Sequence, residues 1–173
     1  MRHLKLLLIT LFLLNFYNNS FSAEIYFIDL KKILNQSKAG KSAQDFLKKK
    51  LTNETKKFDK EQDALKKEET DLIAKKKIVS ADEYKNNLNA LRKKNIDYRK
   101  RRQTAANAIF KKKEKARIEL NKALKPILEK YMTENNIDIV MDRKSIVVAK
   151  TEIDLTDKIL KLLDKELKSI NLK

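Results

Sequence analysis

The stretch NIDIVMDRKSIVVAKTEIDLTDKILKLLDKEL, residues 136–167, decides the fold. Ile137 to Met141 and Ser145 to Ala149 are short runs rich in β-branched side chains, and Asp142-Arg143-Lys144 between them reads as a turn, so two strands are expected. A helix then starts at Thr156 or Asp157 and buries Ile159, Leu160, Leu163 and Leu167, which recur at helical spacing. These are the parts of a small mixed domain, yet the whole chain of 173 residues holds one glycine and one proline and is 38% charged. That composition belongs to long helices with few turns.

Upstream, a helical pattern runs from Lys41 to about Ile78. Leu51, Phe58, Leu65 and Leu72 recur every seven residues, Leu47 lies one turn before them, and Glu54, Glu61 and Glu68 fill the place three residues on. A sustained seven-residue repeat marks a left-handed coiled-coil seam, here half charged. Ser80 with Glu83 three residues later forms a capping box, the start of a second helix at the tip of a hairpin. That helix runs from Asp82 to about Glu134. Tyr84, Leu91, Tyr98 and Ala105 make one row, and Leu88, Asn95, Arg102 and Ile109 the alternate one. Pro126 falls where the helix enters the domain and is expected to kink it.

At the other end, Ile25 to Asp29 reads as a buried strand, Leu30 to Gln36 as a short helix, and Ser37-Lys38-Ala39-Gly40 as an interruption. The expected fold class is α+β, mostly α: a long helical coiled-coil hairpin arm, residues 42–130 with its tip near 78–82, projecting from a small β-rich oligomerisation body, residues 23–41 and 131–173. With three strands per chain, Ile25, Phe27, Ile139, Val140, Val147 and Val148 are the candidates for association through the sheet.

Residues 1–22 read as a signal peptide. Arg2 and Lys5 precede an apolar run from Leu6 to about Tyr17, and Ser20-Phe21-Ser22-Ala23 offers cleavage after Ser22 or Ala23. The run is shorter than a bilayer span, so export to the periplasm is expected rather than anchoring. The chain has no cysteine, and its single histidine, His3, lies in this segment. A catalytic triad, a Cys/His zinc site, a disulfide framework and a glycine-rich phosphate loop are therefore unavailable to the exported chain. No enzyme activity, metal or cofactor is expected. Asp29, Asp138, Asp142 and Asp154 lie in the body and could in principle pair as acid and base, but their places at element ends suit capping and turns.

The formal net charge is +17. Residues 82–130 carry sixteen basic side chains against six acidic ones, whereas residues 42–80 carry eleven against eight. The charge is thus concentrated on the second limb. Arg92, Lys93, Lys94, Arg99, Lys100, Arg101, Arg102, Lys111, Lys112 and Lys113 are candidates for electrostatic capture of acidic clients or of an anionic lipid or lipopolysaccharide surface. Export argues against nucleic acid. Phe46, Leu47, Phe58, Leu65, Tyr84, Leu88, Leu91 and Tyr98 are candidates for a weak, distributed apolar client-binding lining. Sealing one limb against the other is their alternative use.

The two terminal stretches, IYFIDLKKILNQSKAGKSAQDFL and NIDIVMDRKSIVVAKTEIDLTDKIL, flanking a helical hairpin, resemble the Skp/OmpH family of periplasmic chaperones. The resemblance covers the whole chain after the signal segment. It implies a homotrimer whose hairpins enclose a cavity that holds unfolded outer-membrane proteins without ATP. No family binding residue is carried over to the arms. An envelope coiled-coil adaptor, or an anionic-lipid-binding protein without chaperone activity, is the alternative.

Overall fold

The computed structural model describes residues 23–172, and the expected signal segment lies outside them. In chain order the elements are β1 (Ile25–Ile28), α1 (Leu30–Gln36), α2 (Lys38–Lys75), α3 (Ala81–Glu134), β2 (Ile139–Asp142), two 3-10 turns (Arg143–Ser145 and Thr151–Ile153) and α4 (Thr156–Glu166). The fold is mostly helical, with one two-stranded parallel sheet. Parallel strands need a crossover connection, and here the crossover is the whole hairpin of α2 and α3.

Sheet and caps close the two ends of the chain on each other. Ile25 faces Ile139 and Ile28 faces Asp142. On the other edge of β1, Leu155 N–H donates to the Phe27 carbonyl at 2.9 Å. Asp29, Asp138, Asp142 and Asp154 each accept from a backbone amide. Asp29 caps α1 through Lys32 N–H, and Asp138 accepts from Glu24 N–H. Asp142 accepts from Lys144 N–H, and Asp154 from Thr156 N–H at the start of α4. Side-chain caps of this kind satisfy amides that a short element leaves without partners.

The core joins elements far apart in sequence. Ile28, Ile33, Leu120, Leu124, Ile137, Leu155, Ile159 and Leu163 are buried together, with Leu160 and Leu167 half-buried against them. The final helix starts at Thr156, and its expected residues face the core. Leu120 and Leu124 come from α3, which runs without interruption through Pro126. Proline withdraws one donor from the ladder, and the helix continues past it, so the body is built around the last turns of the long helix as well as its own elements.

The expected strand at Ser145–Ala149 is not formed. Arg143–Ser145 is a 3-10 turn, and the chain then runs irregularly to Thr151, with Val147 100% and Val148 87% exposed. Both edges of β1 are taken, by β2 and by the Phe27–Asp154 bridge, and folding back onto the outer edge of β2 would need a tight hairpin turn with φ > 0, which Asp142-Arg143-Lys144 does not adopt. Ile25 is likewise exposed rather than buried. Alternation along the strands explains this, since Tyr26, Ile28 and Val140 turn toward the core while Ile25, Ile139 and Met141 turn away.

Candidate functional site

By length α2 and α3 dominate the molecule. At 1.5 Å per residue, the 38 residues of α2 extend about 57 Å and the 54 of α3 about 81 Å. The chain turns between Lys75 and Ala81, where the Ser80 hydroxyl accepts the Glu83 N–H as the sequence signature requires.

The heptad rows meet as a seam. Phe58, Leu65 and Leu72 from α2 and Leu91 and Tyr98 from α3 are buried in one cluster, with Tyr84, Leu88 and Ala105 packed at its margins. Phe58 and Tyr98 stand edge to face with ring centroids 5.8 Å apart, a preferred arrangement for two aromatic quadrupoles. The acidic row beside the apolar one is used across the hairpin. Glu61 accepts a two-pronged contact from Arg101, and Glu68 pairs with Lys94 at 2.5 Å. The Arg101 hydrogen bond holds the Glu61 carboxyl below its ordinary value, and the same bond raises the Arg101 guanidinium.

Within the protomer most of the candidate apolar lining takes its alternative use, sealing one limb against the other. Phe58, Leu65, Leu91 and Tyr98 lie inside the hairpin, and Tyr84 and Leu88 flank them. Leu47 packs at the arm root, while Phe46 stays exposed beneath the Lys112 ammonium. A different apolar set reaches solvent: Ile73 and Ile78 near the tip, and Ile96, Phe110 and Ile118 along α3. Ile96 is two residues from Tyr98, and Ile118 two from Leu120, so each stands about 200° round the helix from a buried neighbour. The signal for this set was legible, because these are the apolar residues that fall outside the heptad rows.

The basic candidates divide in the same way. Lys94 and Arg101 are held by the cross-hairpin pairs, and Lys112 donates to the Leu172 carbonyl. Arg92, Lys93, Arg99, Lys100, Arg102, Lys111 and Lys113 are exposed and form no ion pair among the described residues. Arg92, Arg99 and Lys100 lie three or four residues from Ile96, and Lys113 three from Phe110, so charge and apolar points share one helix face. Among the described residues no cluster suited to a metal ion occurs, and no helix is long and apolar enough to cross a membrane.

In the body, Phe27 is buried and Val140 half-buried, whereas Ile25, Ile139, Val147 and Val148 are exposed. The oligomerisation candidates are therefore split between the protomer core and its surface.

A family model described as outer membrane protein (OmpH-like) matches residues 24–163. The chain belongs to the OmpH-like family. Its fold is also that of a solved OmpH-like structure from Caulobacter crescentus, at 19% identity and a TM-score of 0.79, covering 87% of this chain and 89% of that one. No curated protein matches the sequence. At that identity the structural likeness speaks for the fold, and the OmpH-like arm and body described above are the parts it shares.

Proposed function

We propose that this OmpH-like chain is an ATP-independent periplasmic holdase. It acts as a homotrimer, takes unfolded outer-membrane proteins into the space between helical arms, and keeps them from aggregating. Residues 1–22 direct export and are removed. Family membership supports the class of activity, and the Caulobacter protein is itself described as a candidate outer membrane chaperone.

The observation that carries the reading is the solvent face of α3. Ile96 and Phe110 are 68% and 63% exposed and stand among basic side chains without ion pairs. Scattered apolar points in a basic field grip a varied, partly acidic client through many weak contacts, without selecting one fold. Nothing in such contacts calls for nucleotide. Release follows when the client buries its own strands in a bilayer.

The test is the solution mass of Ala23–Lys173 by light scattering, alone and with a urea-unfolded outer-membrane barrel diluted into it. A trimer that keeps the barrel soluble in a defined complex supports the reading; a barrel that aggregates as fast as without the protein removes it.

The seven unpaired basic residues also favour a second reading, attachment to anionic lipid. Replacing Arg92, Arg99, Lys100 and Arg102 with Gln leaves the Glu61–Arg101 pair intact and separates the two. Under the lipid reading, binding to anionic vesicles is lost. The holdase reading predicts slower capture with the client still held.

A further inference from the structure

The seam between α2 and α3 thins toward the body. Its bulky row gives way to Ala105 and then, seven residues on, to Lys112, while Leu51 on the facing helix is 53% exposed. Below this point Ala43 and Ala116 are the buried pair. Two alanines leave a notch between the helices, and an empty notch forfeits contacts on every wall.

A side chain from the far end of the chain fills it. α4 ends at Glu166, and the following residues run on without helix or strand until Leu172 is buried to 3% exposure against Ala43 and Ala116, with Leu47 and Ile170 packed around it. A polar contact fixes the same place: Lys112 Nζ donates to the Leu172 carbonyl oxygen, and this ammonium lies 5.8 Å from the Phe46 ring centroid. The family match covers residues 24–163 and ends before this segment.

We propose that residues 168–172 are a clasp that ties the root of the arm to the body. The outer arm is held by its own seam of Phe58, Leu65, Leu72, Leu91 and Tyr98. The root is held from outside, by a leucine that the heptad rows do not supply. The clasp sets how firmly the arm is attached, independently of what the arm binds.

Hydrogen exchange on the full chain after the signal segment tests this, with Leu172→Ser, Leu172→Met and a chain ending at Leu167 beside it. Loss of one buried leucine is expected to speed exchange at residues 43–51 and 105–116 about tenfold or more, leaving residues 58–72 and 84–98 unchanged. Methionine fills nearly the same volume and restores protection. Lys112→Met, which removes only the polar contact, gives a smaller increase at the same residues. Should the shortened chain fail to fold, Leu172→Ser decides. Unchanged exchange at the root, or an equal increase along the whole arm, overturns the clasp.

Discussion

Gly40, the single glycine of the chain, is required by close approach rather than by an unusual φ. α1 and α2 meet at Ser37, which is fully buried and whose hydroxyl accepts the Gly40 N–H at 3.0 Å. A Cβ at residue 40 would collide with the backbone carbonyl of Leu34, and backbone cannot swing aside as a long side chain can. Alanine is normally the better helix former by about 1 kcal/mol, but here the collision wins. Gly40→Ala is expected to destabilise the protein by about 1–3 kcal/mol in chemical denaturation, and an unchanged or higher midpoint would sink this account of the crossing. Asn136 is a complementary case. It holds φ 52° just beyond the end of α3, where Ile137 N–H reaches back to the Met132 carbonyl at 3.0 Å, the closing bond of a Schellman-type end. A β-branched residue tolerates that φ poorly, so Asn136→Val should cost about 1–2 kcal/mol, while Asn136→Gly should be near neutral in the same assay.

At the scale of the element, the arm is a two-helix seam with no third layer, so each buried row residue matters more than it would in a globular core. Phe58→Ala removes one partner of the edge-to-face pair and leaves Tyr98 facing a void. A buried phenylalanine truncation costs about 3–5 kcal/mol, and here the loss falls on the outer arm. Limited proteolysis should cut within residues 58–98 while the body stays resistant; uniform cleavage along the chain would contradict a locally held seam. The Glu61–Arg101 pair adds a pH dependence. The folded carboxyl lies below its ordinary 4.5, so its contribution is present above that value and is lost as pH falls through the lowered folded one. Both partners are partly exposed, which keeps the effect small. Glu61→Gln should remove part of the acid-dependent loosening seen by hydrogen exchange in the arm, and an unchanged acid profile would count against the pair's role. The seam was legible in the sequence because a seven-residue repeat survives translation into structure almost unaltered. The contribution of α3 to the body core was harder to see. Leu120 and Leu124 recur four residues apart, yet they continue a charged helix without a break, and only their burial with Ile33 of α1 and Ile159 and Leu163 of α4 marks where arm becomes body.

For the whole molecule, the deciding fact is that the body closes only when the two ends of the chain meet across the arm. β1 and β2 pair in parallel, and α4 packs on both the first strand and the long helix. Contacts this distant in sequence are slow to form. They also leave a sheet of only two strands, with an outward face of Ile25, Ile139 and Met141 exposed and the β-prone Val147-Val148 segment beside it without a strand partner. The segment is strand-like in composition, but composition does not say whether a strand forms or whose edge it joins, and within the described residues of one protomer it leaves the outer edge of β2 unpaired. Under the homotrimer reading proposed above, the segment would pair with another copy. Because Val147 and Val148 are almost wholly exposed in the protomer, replacing both with Asp removes no packing within it and should leave the body's own core intact. The expected outcome is a fall in solution mass to that of a single chain by light scattering, with the helical circular dichroism signal per residue retained. If the double variant keeps the mass of the parent, these valines are not the contact. Should helicity fall along with mass, the protomer core would depend on association, as in obligate oligomers that have no stable folded monomer.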